Sequence, residues 1–238
     1  MSWGQNSFAF RRAALAALFV TSATAAAANV LVVRSSGPSA ATYKAGRSLP
    51  DNARITLRPG DTVVVLTGGG TRTFRGPGTY SPNAAVRGGP RVATAADGRR
   101  ARVGAVRNAG VLPRGGTIWD VDVTQSGTFC VVGSRPVLLW RPDASQPITL
   151  QVIARDGASI NAQWAAGQPT LAWPAGAQLA DGAAYSFRTP GVAVPTQITF
   201  RTLASEPADL DGVAAALIEN GCEGQLDLLI ETQPAEGS

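Results

Sequence analysis

A chain of 238 residues carries 27 glycines, 16 prolines, five tryptophans and no histidine. Its length supports one or two globular domains, and the missing histidine excludes Ser-His-Asp and Cys-His catalysis, His-ligated zinc or haem and a histidine pH switch. With 45% hydrophobic and 16% charged residues the chain should fold rather than stay disordered, and its frequent glycine and proline favour short strands joined by turns, so the expected class is mainly β.

Residues 1–28 have the form of an export signal. Arg11 and Arg12 close a positive region, Ala13 to Val20 is apolar, and small residues fill Thr21 to Ala28, with cleavage expected after Ala25 or Ala28. A retained anchor is the competing reading, but roughly 16 apolar or small residues fall short of the ~20 that span a bilayer. The expectation is a periplasmic or secreted protein whose membrane contact is peripheral. The two cysteines, Cys130 and Cys222, are 92 residues apart. In an oxidising compartment such a pair favours a disulfide over two buried thiols.

Charge is divided unevenly. Residues 29–118 hold 14 basic side chains against three aspartates, a net of +11, whereas residues 119–238 hold five arginines against 13 acids, a net of −8. This polarity predicts two modules that meet near residues 112–119 and attract each other.

In chain order, the apolar run Val30 to Val33 starts a strand that Ser35-Ser36-Gly37-Pro38 ends. Ile55 to Leu57, Thr62 to Leu66 and Thr71 to Phe74 are further strands, separated by Pro59-Gly60-Asp61 and by Gly68-Gly69-Gly70. The three glycines lead into another strand, not a helix, so a hairpin is expected there and not a phosphate loop. Gly76-Pro77-Gly78 marks the next turn, and the unit closes by Pro82.

Val33 and Gly37, Gly46 and Leu49, Ile55, Leu57, Gly60 and Asp61, and Phe74, Gly76, Pro77 and Gly78 form an order that resembles the FecR-type β-domain of periplasmic sensor and envelope proteins. Where that family usually has an Asp-Gly-Ser turn, this chain has Gly69-Gly70-Thr71. The resemblance covers residues 29–82 and implies a small β-domain used for protein contact and signalling, without catalytic residues.

Residues 83–117 are rich in alanine, glycine and arginine and poor in large apolar side chains, so a basic linker is expected. Its candidate anion-binding residues are Arg87, Arg91, Arg99, Arg100, Arg102 and Arg107, because guanidinium pairs bidentately with phosphate and carboxylate. They would hold an anionic glycolipid, a cell-wall polymer or an acidic partner. Nucleic acid is not expected, since the stretch has no aromatic side chains for stacking.

From Ile118 to about Leu203 strand signals return every ten residues or so, the spacing of a β-sandwich. Trp119 to Val123 alternates, which places Asp120 and Asp122 on one face. With no further acid near in sequence they read as a solvent-facing stripe rather than an acid/base pair or a calcium site. Strands are also expected at Phe129 to Val132, Val137 to Trp140, Ile148 to Ile153, Ser159 to Trp164, Thr170 to Trp173, Tyr185 to Arg188 and Gln197 to Arg201. Trp140 together with Leu179, Gly182, Tyr185 and Phe187 resembles an immunoglobulin or fibronectin type III-like domain, which implies a core tryptophan and a tyrosine corner. Trp140, Trp164, Trp173 and Tyr185 are therefore expected in the core rather than on a sugar-binding platform.

In residues 204–238 the period changes to that of a helix. Leu210, Val213, Ala214, Leu217 and Ile218 share one face, Asp209 suits its start and Asn220-Gly221 its end. A second helical turn carries Leu226, Leu229 and Ile230. The pair is expected to fold onto the sandwich, tethered through Cys222 to the strand bearing Cys130. Lys44 is the only lysine, and its spacing from Ser39 does not suit a Ser-Lys dyad. The reading that follows has no catalytic, cofactor-binding or metal-binding residues. It is a non-enzymatic interaction or signalling-accessory protein of the cell envelope, partnered by an envelope protein such as a membrane sensor. The alternative is an envelope-anchoring module that binds anionic polymer through its arginines.

Overall fold

The computed structural model describes residues 1, 29–82 and 116–235, and there the chain is mainly β with two short helices near its C-terminal end. The leader expected over residues 1–28 and the six candidate anion-binding arginines lie outside the described residues, Met1 excepted.

A first sheet has the antiparallel order β2 (Ser48–Pro50), β1 (Asn29–Ser36), β4 (Thr62–Thr67) and β5 (Gly70–Arg75). β3 (Ile55–Leu57) and β6 (Gly78–Tyr80) form a separate ribbon. The Gly68-Gly69 turn joins β4 to β5 through the Thr67–Gly70 pair, the hairpin expected from the glycine run. Val30 and Val32 face a core that includes Leu49, Ile55, Val63, Val65 and Phe74, while Leu31 and Val33 point the other way into a second core. A strand covered on both faces has no polar alternation, which explains four aliphatic residues in a row.

Asp61 fixes the turns of this unit. It is 2% exposed, and its carboxylate accepts from the N–H groups of Ser39 (2.8 Å) and Arg58 (2.5 Å). Burial pushes its pKa up, but the hydrogen bonds from Ser39 and Arg58 and the nearby Arg58 guanidinium outweigh it and hold the carboxyl below the usual aspartate range. A depressed native pKa adds stability that is complete above the unfolded value and lost as pH falls through the native one. Asp61→Asn should therefore flatten the acid limb of the unfolding curve while lowering stability at neutral pH. Acid titration followed by circular dichroism reads both effects. Gly37 stands across this turn at φ +95°, and a Cβ there would lie 2.6 Å from the Gly60 carbonyl oxygen, so only glycine fits.

The second half is β-sandwich-like. One sheet has the order β11 (Ser159–Trp164), β10 (Ile148–Ala154), β13 (Ala184–Arg188), β14 (Thr196–Leu203), β8 (Gly127–Val132), and a smaller one has β12 (Thr170–Ala172), β9 (Leu138–Trp140), β7 (Val121–Asp122). The pairs β14–β8 and β7–β9 are parallel and the rest antiparallel. Leu139, Leu150, Val152, Trp164, Phe187 and Phe200 meet in the shared core. Trp140, Trp164 and Tyr185 are buried and Trp173 packs edge-on against Tyr185 and Phe200, 5.1 Å between centroids in each case. Trp164, Trp173 and Tyr185 thus fill the interior as expected, whereas Trp140, though buried, lies outside that core. The Tyr185 hydroxyl donates to the Gln178 carbonyl just upstream of its strand.

The strand expected over Trp119 to Val123 contracts to Val121–Asp122. Asp120 accepts from the Thr117 N–H (2.7 Å), and Asp122 accepts from the N–H and hydroxyl of Thr124 and from Gln125 Nε2. Short acidic side chains that bond local backbone groups replace strand pairing with turns.

α1 (Leu210–Glu219) starts at Asp209, whose side chain accepts from the Gly212 N–H, and stops at Asn220, followed by Gly221 at φ +69°. α2 (Glu223–Thr232) follows at once. The hairpin does not sit on the sandwich alone, which corrects the expectation. α1 lies against β1 and α2 against β8, and one core joins Leu31, Val33 and Leu66 of the first sheet, Cys130 and Val132 of β8, and Val213, Leu217, Leu226 and Leu229 of the helices. The reason is visible in β8. Phe129 and Val131 face the sandwich interior while Cys130 and Val132 face the helices, a second two-sided strand. The helices form a layer between two sheets, so burial of the fully enclosed Leu217, worth about 1.5–3 kcal/mol, stabilises both halves. The chain then returns to the first sheet, where the Thr71 N–H donates to the Pro234 carbonyl (3.0 Å) and Ala235 bridges Thr71 in parallel.

Candidate functional site

The region where α2 meets β8 brings the cysteine pair and a buried glutamine together. Cys130 and Cys222, both fully buried, stand at disulfide distance with Cα atoms 5.8 Å apart. This is the pair singled out by the sequence.

One turn further along α2, Gln225 is 2% exposed and fully used. Its Oε1 accepts from the Cys130 N–H (2.6 Å), and its Nε2 donates to the carbonyls of Cys130 (2.9 Å) and Ile118 (2.6 Å). β8 is an edge strand whose free side would leave these groups without partners. The amide of Gln225 stands in for a neighbouring strand, because its oxygen accepts and its NH₂ group donates as a peptide group does. Sequence reasoning passed over Gln225. The signal available was a glutamine among the apolar positions of an amphipathic helix, three residues after a cysteine.

Glu206 closes the same junction from the other side. Trp119 Nε1 donates to its Oε1 (2.9 Å) and Arg135 to its Oε2 (2.8 Å). The bonds from Arg135 and then Trp119 hold its carboxyl below the ordinary glutamate range against a smaller opposing effect of burial.

Beside Gln225 opens a cavity of about 220 Å³. Trp140, Phe129 and Leu228 supply apolar wall, and Asp120, Asp122, Asp227 and Glu231 supply carboxylates. The aspartates read as a solvent-facing stripe thus share a concavity with two acids from α2, which lie about a hundred residues away in sequence. Asp227 pairs with Arg34 of β1, both half-exposed, so this contact also joins the charge-divided halves. Such exposed pairs contribute little, about 0–1 kcal/mol, and the apolar core beneath it carries the association. The Nε1 of Trp140 is buried and has no hydrogen-bond partner, a deficit of about 1–3 kcal/mol unless an acceptor is supplied.

A second concavity, about 380 Å³, lies between β1 and β4 and the helices, lined in part by Arg34, Ser36, Thr62, Ile218 and Glu223. Among the described residues no group of His, Cys, Asp and Glu is placed to hold a metal ion, and no helix is long and apolar enough to cross a membrane. Comparison with protein-family models, with curated proteins and with solved structures finds no match to this chain.

Proposed function

We propose that this chain is an exported, non-enzymatic interaction protein of the bacterial cell envelope, a signalling accessory whose two β units are held in one orientation by the helical hairpin. The observation that carries this reading is the buried pair Cys130 and Cys222 at disulfide distance across the helix–strand junction. A disulfide at that position has structural use only where thiols are oxidised, which agrees with the leader-like sequence before Asn29.

The finer family readings fit the same picture. The turn glycines of the FecR-like order, Gly37, Gly46 and Gly60, adopt positive φ, which supports that resemblance for residues 29–82. The hydrogen bond from Tyr185 to the Gln178 carbonyl, within the Leu179, Gly182, Tyr185 pattern, supports an immunoglobulin-like reading of residues 118–203, as a tyrosine corner has this bond. Domains of both kinds serve mainly to bind and to space. The exposed apolar tip between β13 and β14, with Val192 and Val194 at 58% and 76% exposure, is the surface this reading assigns to protein contact.

Cell fractionation tests the proposal. A C-terminally tagged chain should appear outside the cytosol, shortened by about 25–28 residues, with both thiols blocked to alkylation before reduction. An uncut cytosolic product with free thiols would overturn the reading.

A further inference from the structure

The outer strands of a sheet offer N–H and C=O groups to any other chain, and folded proteins blunt such edges with short strands, proline, charge or a covering segment. Most edges here are blunted in one of these ways. β2 has three residues and ends in Pro50, β12 and β7 have three and two, and β3 and β6 have three each. β5 carries Arg72 and Arg75 and meets Pro234 and Ala235 at Thr71, and Gln225 of α2 covers β8.

β11 is the exception. It is six residues long, ends the five-stranded sheet and pairs with β10 in one unbroken register. Among the described residues no strand pairs with its outer side. It contains no proline, and the sequence holds no charged residue between Asp156 and Asp181. A long neutral edge, on a chain otherwise divided into basic and acidic halves, is suited to strand addition.

The ladder shows which groups this edge offers. The Ala154 N–H donates to the Ala158 carbonyl (2.8 Å), and bonded and non-bonded pairs alternate along an antiparallel ladder. Val152–Ile160, Leu150–Ala162 and Ile148–Trp164 are then the bonded pairs, so the N–H and C=O groups of Ser159, Asn161 and Gln163 point outward. The side chains of these three are exposed, whereas Trp164 is buried in the sandwich core.

Such an edge is complementary to itself. A second copy placed antiparallel, with Asn161 opposite Asn161, sets Ser159 opposite Gln163 on both sides of the axis, and all three outward residues exchange backbone bonds. This register also keeps the inner faces of both copies on one side, with Ile160 opposite Ala162. The two Asn161 amides face each other, and each both donates and accepts. The Arg155–Asp156 turns of the two copies fall at opposite ends of the joint, so no like charges meet there.

We propose that β11 is the interface strand of a homodimer, which joins the five-stranded sheets of two copies edge to edge about a twofold axis at Asn161. The pairing goes beyond the envelope reading and does not depend on it. A joint made by one strand edge is smaller than the ~1,200 Å² of standard interfaces, so the dimer should exchange with monomer at micromolar concentration.

Sedimentation velocity on the purified full chain, from about 1 to 500 μM, should show a reversible monomer–dimer equilibrium. Asn161→Lys and Asn161→Asp each set like charges opposite one another at the axis and should weaken association about tenfold or more. Both should keep the thermal midpoint close to that of the parent, because the side chain is exposed. Mixing the two variants at low salt should restore the dimer, with lysine facing aspartate across the axis. A parent that stays monomeric over the whole range, a dimer unchanged in both variants, or a mixture that does not associate would overturn the proposal.

Discussion

Gln225→Glu is expected to lower stability by about 3–5 kcal/mol at neutral pH, because it places an unpaired charge in a buried, fully bonded site. One carboxylate oxygen still accepts from the Cys130 N–H, but the other faces the carbonyls of Ile118 and Cys130, which the native amide approaches at 2.6 and 2.9 Å. Only the protonated acid donates to one of them. The native pKa of the new group must then lie above its unfolded value of about 4.3, so the charge-dependent part of the damage is absent below that value and grows as pH rises through the native pKa, leaving at low pH only the cost of the one carbonyl without a donor. That trend opposes the one carried by Asp61, which loses stability towards acid. Gln225→Met gives the control, as it fills the volume but leaves the same N–H and carbonyls without partners. It should cost about 2–4 kcal/mol with no pH dependence of its own. Urea unfolding of the three proteins at several pH values between about 4 and 8 separates the cases.

The second large effect concerns the cysteines. Closing a loop of 92 residues limits the unfolded chain by about 4–5 kcal/mol in the entropy model. Cys130→Ala with Cys222→Ala, or reduction of the parent, should lower the unfolding free energy by that order. The double variant should then be indifferent to reductant, with the Gln225 bonds still holding α2 to β8 at low denaturant. Equal midpoints for oxidised and reduced parent would mean that the pair does not crosslink the native protein.

Much of the fold can be read from the residues because β-branched and aromatic runs punctuated by glycine and proline specify strands with little help from context. Thr62–Thr67, Ile148–Ala154 and Ser159–Trp164 fall where the pattern puts them. Ser48–Pro50 escaped because three residues ending in proline carry almost no periodic signal, and it survives as an edge strand on β1. Trp119 to Val123 was over-extended because alternation alone does not reveal that Asp120 and Asp122 will bond backbone nearby.

The layered arrangement had a sequence signal that a search for alternation overlooks. Val30 to Val33, Val63 to Leu66 and Phe129 to Val132 are unbroken apolar stretches, and each is covered on two sides. Such strands in both halves and one amphipathic hairpin imply a shared middle layer. The site was less legible. Asp227 and Glu231 are four apart on α2 and so share a face, yet nothing local ties that face to Asp120 and Asp122. Only the packing of α2 against β8 brings them together.

The central claim is that the hairpin binds the two β halves into one body through apolar contact rather than through their opposite charges. A specific protease site introduced within residues 83–115 allows the folded chain to be cut between the halves, with Cys130 and Cys222 both in the second fragment, so no covalent link remains. After cleavage, the fragments should elute together in size exclusion at about 1 M salt, where exposed ion pairs such as Arg34–Asp227 are screened, and Leu217→Asp should separate them. Fragments that part on cutting, or that stay together only at low salt, would contradict the account.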